Sequence, residues 1–216
     1  MEKNRLEAFT DGVIAVIITI MVLELKPPHE ATFAALLDNW PVFLSYVLSF
    51  VYVGIYWNNH HHLMHAVEKI DGKVMWANLF LLFWLSLIPF TTAWLNEAHG
   101  EVGREFPAAA PAAAYGFVLL MAAIAWIPLS RSLIACNGGM NSRLAQALGG
   151  DAGDWKAKVS PALYVAGIAS ALSALIVDSA AKAFWMPKAS CLLYAVVAAL
   201  WLIPDRRIEK HLSENP

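Results

Sequence analysis

The chain of 216 residues is too apolar for a soluble globular protein, because 59% of its residues are hydrophobic and 15% are charged, whereas soluble domains carry about 25% charged residues. This composition indicates an integral membrane protein. The formal net charge of -2 and the lack of a basic groove interleaved with aromatic residues give no indication of nucleic-acid binding.

Six apolar runs are each long enough to cross a bilayer as a helix, which takes about 20 residues. Charged, glycine-containing or proline-containing segments separate them. They predict an all-α membrane protein with a single domain, 1–216, and leave no room for a soluble catalytic domain, so we expect no enzymatic activity. In chain order the predicted transmembrane helices are 6–25, 39–64, 74–96, 109–130, 160–178 and 184–204.

The basic residues are distributed unevenly between the two sides of the predicted helices. Eleven of the fifteen Lys and Arg residues fall in the terminal segments or in loops on the same side, and four fall on the other side. Because cytoplasmic loops carry an excess of Lys and Arg, we predict that both termini are cytoplasmic. On this topology Cys136 and Cys191 lie near opposite faces of the membrane, which argues against a disulfide between them.

The first predicted helix begins with polar residues that a membrane-spanning segment rarely carries. Arg5, Thr10 and Asp11 precede an apolar run that is interrupted by one hydroxyl, that of Thr19. A charge near the start of a spanning helix costs several kcal/mol unless it has a partner. The pattern therefore indicates that this helix carries the function.

Helical periodicity brings four residues of this helix onto one narrow face, which we call the Val16 stripe: Val16, Thr19, Ile20 and Leu23. Asp11 points away from this face. On its own, such a stripe is typical of a helix that contacts lipid or packs in a bundle, and Thr19 is typical of a hydroxyl bonded to its own helix. Periodicity alone does not separate these interpretations from a pore-lining surface.

The polar start of the helix carries a recognisable pattern. Arg5-x-x-x-Phe9-Thr10-Asp11 resembles the R-x-x-x-F-S-D signature that opens the first helix of the TMEM175 family of potassium channels. Thr10 stands where the family usually has serine, and it keeps the hydroxyl.

Later segments extend the resemblance, which covers roughly residues 5–92. The segment from Trp57 to Met64, with His60 at its centre, is similar to the W-x-x-H-x-x-L-F pattern that ends the family's second helix. Asn78 and the segment 89–91 resemble parts of its third helix.

The resemblance implies a potassium-permeable, moderately selective cation channel in the inner (plasma) membrane of a bacterium. Each chain of a homotetramer would contribute its first helix to a central pore for monovalent cations, without a re-entrant pore loop. The implied constriction is formed by Val16, Ile20 and Leu23, and Thr19 would favour potassium over sodium. These positions coincide with the Val16 stripe.

The resemblance also implies a structural role for the signature residues. Arg5, Phe9, Thr10 and Asp11 would tie the first helix to the second and third. Their expected partners there are His60 and Asn78, with Trp57 packing nearby. A buried carboxylate needs hydrogen-bond donors, which agrees with this role for Asp11.

Two other interpretations stay open. A secondary transporter of a small cation or solute is the alternative function, although the middle of each predicted span lacks Asp, Glu, Lys and Arg. His61 and His65, four residues apart, have a spacing that can bind zinc. Histidines at the cytoplasmic end of a helix also explain that cluster without a metal. They could instead modulate gating with pH, because histidine titrates near neutrality. We therefore expect no metal site, and no cofactor apart from the permeant ions.

Overall fold

The computed structural model describes residues 2–28, 30–97, 107–141, 145 and 155–202, and within them the chain is helical and has no β-strand. Five helical segments are long and apolar enough to cross a membrane, which confirms the predicted all-α membrane class. They are Lys3–Leu23, Trp40–His65, Gly72–Glu97, Ala109–Cys136 and Phe184–Leu202.

The α-helices of the described residues are, in chain order, α1 (Lys3–Leu23), α2 (Phe33–Asp38), α3 (Trp40–His65), α4 (Gly72–Ser86), α5 (Ile88–Glu97), α6 (Ala109–Cys136), α7 (Trp155–Ser173) and α8 (Ala180–Leu202). Helix α2 was not predicted. It is a short helix capped by Thr32, whose side chain accepts a hydrogen bond from the Ala35 backbone N–H at 3.1 Å. Helix α6 continues six residues beyond its predicted end at 130.

The predicted span 74–96 is two helices, α4 and α5, which meet at Leu87. Pro89 explains the break, because it has no N–H to donate to the Leu85 carbonyl and its ring crowds that oxygen. The predicted span is therefore interrupted at Leu87, within a segment that the structure gives as Gly72–Glu97. The two helices together still have the length and hydropathy of a single span.

The predicted span 160–178 corresponds to α7, which begins and ends five residues earlier. Helix α7 is not among the segments that are apolar enough to cross a membrane, since Lys156 and Lys158 lie in its first turn. The predicted number of six membrane-spanning helices is thus not confirmed. Helix α7 nevertheless packs in the bundle, against α6 and α8.

Helix α6 is the central element of the bundle and packs against α4, α5, α7 and α8. The side chains that it buries most completely are small or aliphatic: Leu119, Ala122, Ala125, Leu129 and Leu133. Helix α1 packs against α3, α4 and α5 instead. It therefore lies at the edge of the bundle, where the residues that the structure describes leave one of its faces exposed.

A line of hydroxyl groups joins α3, α5 and α6 inside the bundle. Ser49 Oγ lies 2.7 Å from Thr92 Oγ1 and 3.0 Å from the Tyr115 hydroxyl, and all three side chains are buried. Ser45 donates a hydrogen bond to Asn96 Oδ1 at 2.6 Å. Between membrane helices such bonds contribute to an association that the hydrophobic effect does not drive.

Tyr194 of α8 lies where α6, α7 and α8 approach one another closely. Its side chain is fully buried, and its hydroxyl donates a hydrogen bond to the Ala112 carbonyl at 3.2 Å. A Cβ atom at Gly116 of α6 or Gly167 of α7 would collide with the Tyr194 ring. Glycine is therefore required at both positions by the space that Tyr194 occupies.

We expect Gly116→Ala to lower the melting temperature of the detergent-solubilised chain, because the added methyl displaces Tyr194 and overpacking costs about 1–3 kcal/mol. Gly54→Ala is the matched control, since Gly54 is also helical and nothing lies within 4 Å of a Cβ there. Alanine at that position should leave the melting temperature unchanged or raise it. Equal melting temperatures for the two variants would contradict the packing described.

Candidate functional site: the first helix and its polar anchor

Helix α1 buries one face against the rest of the protomer. The side chains on this face recur every three or four residues and are nearly inaccessible: Leu6, Thr10, Ile14, Ile17 and Met21. This interval matches the 3.6-residue turn, so the five positions share one side of the helix. The burial of this side against α3, α4 and α5 fixes the rotation of α1 about its own axis.

The Val16 stripe lies on the exposed side of α1. Val16 is 55% exposed and Leu23 is 80% exposed, and Thr19 and Ile20 are exposed as well. All four positions predicted to line a pore therefore lie on one surface that the described part of the chain leaves exposed. Small residues extend the exposed surface towards the start of the helix: Ala8, Gly12 and Ala15.

Thr19 supplies the polar group of the Val16 stripe. Its hydroxyl donates a hydrogen bond to the Val16 carbonyl at 2.8 Å, the bond to its own helix that is typical of threonine in an apolar helix. The hydroxyl proton is committed to the backbone, but the oxygen keeps lone pairs that can accept a hydrogen bond or coordinate a cation.

A chain of buried hydrogen bonds fixes α1 to α3 and α4. Asn78 Nδ2 donates to Thr10 Oγ1 at 2.8 Å, and the Thr10 hydroxyl donates to the Leu6 carbonyl at 2.9 Å. His60 Nε2 lies 3.0 Å from Asn78 Oδ1. We call His60, Asn78 and Thr10 the polar anchor; each of the three is at most 1% exposed.

The chemistry of these groups sets the direction of every bond in the polar anchor. Asn78 Oδ1 can only accept, so His60 Nε2 carries the proton and donates it. His60 Nδ1 is buried and has no hydrogen-bond partner in the part of the chain that the structure describes. Because a buried N–H without an acceptor is costly, we assign the neutral tautomer with its proton on Nε2.

Asp11 provides a second link between α1 and α3. Its Oδ1 accepts a hydrogen bond from Trp57 Nε1 at 3.0 Å. The sequence led us to expect His60 and Asn78 as the polar partners and Trp57 as a packing neighbour. In the structure Asp11 pairs with Trp57, Asn78 pairs with Thr10, and His60 pairs with Asn78.

Arg5 and Phe9 lie outside this arrangement. Both side chains are exposed, and the Arg5 guanidinium forms no hydrogen bond or ion pair with any residue that the structure describes. They precede Val16 by eleven and seven residues, about three and two helical turns, so they share the exposed side with the Val16 stripe. The four-residue signature is thus divided, with Thr10 and Asp11 facing the protomer.

Glu7 joins the site although the sequence analysis did not select it. Its Oε1 lies 3.4 Å from His61 Nδ1. Glu7 precedes Asp11 by four residues and His61 follows Trp57 by four. Antiparallel helices that are paired at Asp11 and Trp57 are therefore paired one turn further on as well. The four-residue spacing was visible in the sequence, but it predicts the Glu7–His61 pair only once the Asp11–Trp57 pair is known.

The fold and this site define a multi-pass helical membrane protein, and comparison with known proteins identifies its family. The family model described as endosomal/lysosomal potassium channel TMEM175 matches residues 5–89. A potassium channel of Chryseobacterium sp. is 47% identical over 215 residues, which cover 100% of each chain. A potassium channel of Streptomyces collinus is 37% identical over 139 residues, or 61% of this chain and 66% of that one.

Structural comparison agrees. The crystal structure of a lysosomal potassium-selective channel TMEM175 homologue from Chamaesiphon minutus matches with a TM-score of 0.69 and 26% identity, over 93% of this chain and 98% of that one. The endosomal/lysosomal proton channel TMEM175 of Homo sapiens is 31% identical over 120 residues, which are 48% of this chain and 24% of that protein. The chain belongs to the TMEM175 family.

We expect Thr10→Val to destabilise the chain more than Thr10→Ser. Valine is close to threonine in shape but leaves the buried Asn78 amide without its acceptor, and such an unsatisfied group costs about 1–3 kcal/mol. Serine retains the hydroxyl, and with it both hydrogen bonds of Thr10. Melting temperatures of the solubilised variants test this, and a valine variant as stable as the serine variant would contradict the polar anchor.

Proposed function

We propose that the chain is one subunit of a homotetrameric potassium channel in the inner (plasma) membrane of a bacterium, with both termini in the cytoplasm. Helix α1 of each subunit would line the central pore. The potassium channel of Chryseobacterium sp., which is similar along the whole chain, supports the activity. The excess of Lys and Arg on one side supports the orientation.

The observation that carries this proposal is the division of α1 into a buried face and an exposed face. The exposed sides of other helices present large aromatic residues such as Phe50, Phe83 and Phe90, as lipid-facing surfaces do. After Phe9, the exposed side of α1 has no aromatic residue and presents small and aliphatic residues with one hydroxyl, that of Thr19. Small residues let membrane helices approach closely, so this side favours helix contacts around an axis over contact with lipid.

Four copies of the Val16 stripe around an axis would form successive rings. Rings of Val16, Ile20 and Leu23 would make an apolar constriction, which controls conduction by excluding water. Thr19 lies between Val16 and Ile20 in height and would add a ring of hydroxyl oxygens there. We propose that this ring favours potassium over sodium only moderately. Threonine hydroxyls do not form the cage of backbone carbonyls that replaces an ion's hydration shell in highly selective filters.

We expect Val16→Ile and Val16→Leu to reduce potassium flux, because each adds a methylene group to the constriction on four sides. A barrier raised by about 1.4 kcal/mol would reduce flux about tenfold. The assay uses the full chain in liposomes with an imposed potassium gradient. Val22→Ile is the matched control, since Val22 is an exposed valine of α1 about a third of a turn from the Val16 stripe.

Unchanged flux in both Val16 variants would show that Val16 does not line the constriction.

The same liposomes distinguish a channel from a secondary transporter. A channel passes an uncoupled current that rises with the gradient, and a requirement for a second, co-transported ion would overturn the channel proposal itself.

We expect Thr19→Ala to move the reversal potential measured between potassium and sodium solutions towards zero, because it removes the hydroxyl oxygens from the stripe. Thr19→Ser, which retains the oxygen and loses one methyl group, should keep most of the selectivity. A reversal potential that does not move in the alanine variant would exclude Thr19 as the selectivity residue.

A further inference from the structure

Three consecutive contacts join the start of α1 to the end of α3, about one helical turn apart. Asp11 accepts from Trp57 at 3.0 Å, and Glu7 lies 3.4 Å from His61. The Lys3 ammonium donates to the carbonyl of Val67, just beyond α3, at 3.1 Å. The middle contact differs from the other two, because a second imidazole, that of His65, lies beside it.

Glu7, His61 and His65 bring three potential metal ligands together. One carboxylate oxygen and one nitrogen from each imidazole all lie within 4.8 Å of one another. The ring centroids of His61 and His65 are 4.4 Å apart in an edge-to-face arrangement. Ligand atoms about 2.0–2.1 Å from a tetrahedral zinc ion are about 3.3 Å apart. The Glu7–His61 pair already has that spacing, and exposed His65 is free to turn towards it.

We infer that Glu7, His61 and His65 form a binding site for a divalent transition-metal ion, with Zn²⁺ as the ion that fits best. Two imidazoles and one carboxylate are a ligand set typical of zinc sites that keep a fourth position for water. Ca²⁺ and Mg²⁺ prefer oxygen ligands, whereas two of the three ligands here are imidazole nitrogens. From the sequence we expected no metal site here. The third ligand, Glu7, comes from a different helix, and its proximity to His61 and His65 depends on the fold.

The neighbouring contact orients one of the ligands. The Trp57 ring stacks on the His61 ring with centroids 6.0 Å apart and an interplanar angle of 21°. The Trp57 ring is itself held by its hydrogen bond to Asp11. Supporting contacts that orient a metal-binding imidazole commonly change affinity about 10–100-fold. The link that fixes α1 to α3 therefore also restricts the plane of His61.

A metal ion at this site ties α1 to α3 by bonds stronger than the present carboxylate–imidazole contact. It would stabilise the folded chain by an amount that increases with the logarithm of the metal concentration relative to its dissociation constant. This binding claim does not depend on the proposed channel function, because ligand binding and thermal stability are measured without ion flux.

The test uses the full chain, purified without a histidine tag, stripped with a chelator and titrated with Zn²⁺ against a chromophoric competitor. We expect one Zn²⁺ per chain. Glu7→Gln, His61→Gln and His65→Gln should each weaken binding at least about tenfold. His62→Gln is the matched control, since His62 neighbours His61 but does not belong to the cluster of ligand atoms.

Melting temperatures with and without Zn²⁺ give a second measurement. Zn²⁺ should raise the melting temperature of the unaltered chain and of the His62 variant, and leave the three ligand variants unchanged. The site is overturned if the unaltered chain shows no saturable binding, or if the ligand variants bind as tightly as it does. It is also overturned if the His62 variant loses as much affinity as the others. The metal-free melting temperature shows whether each variant is folded.

Discussion

The rotation of α1 is fixed by a buried hydroxyl together with the apolar residues on the same face of the helix. Thr10 lies inside the protomer, where it accepts from Asn78 and donates to the Leu6 carbonyl. Neither partner can be released without leaving a buried polar group unpaired. Thr19 follows nine residues later, about two and a half turns, and so points to the opposite side. This polar contact and the apolar packing beside it thereby determine which residues of α1 are presented outside the chain.

Other polar contacts hold further helices of the bundle in fixed positions. The hydroxyls of Ser49, Thr92 and Tyr115 hold α3, α5 and α6 together, and Tyr194 fills the space left by glycines in α6 and α7. In an apolar solvent, close packing and directional bonds decide how helices associate. The other helices therefore pack in one specific arrangement, against which α1 is positioned.

The sequence predicted the helical class, most helix positions and the Val16 stripe, because each depends on hydropathy or on the 3.6-residue period. It also selected Thr10, Asp11, Trp57, His60 and Asn78 through their resemblance to a known pattern. It did not predict which of them pair, since pairing depends on how α1, α3 and α4 are aligned in space. For the same reason Glu7 was missed, although its distance from Asp11 in sequence was visible.

Where the predicted spans differ from the structure, local backbone chemistry outweighs mean hydropathy. Pro89 interrupts a run that is mostly apolar, and the lysines at the start of α7 lower the hydropathy of a helix that still packs in the bundle. Hydropathy averaged along the sequence depends neither on a missing backbone N–H nor on the burial that neighbouring helices provide.

The hydrogen bond from Thr19 to the Val16 carbonyl affects whether α1 can bind cations or anions. A hydroxyl is both a donor and an acceptor, but this one has its proton occupied by the backbone. Its outward chemistry is that of an acceptor alone. In the proposed tetramer, four such oxygens would offer anions nothing to bind, so this ring would discriminate against anions although Thr19 itself carries no charge.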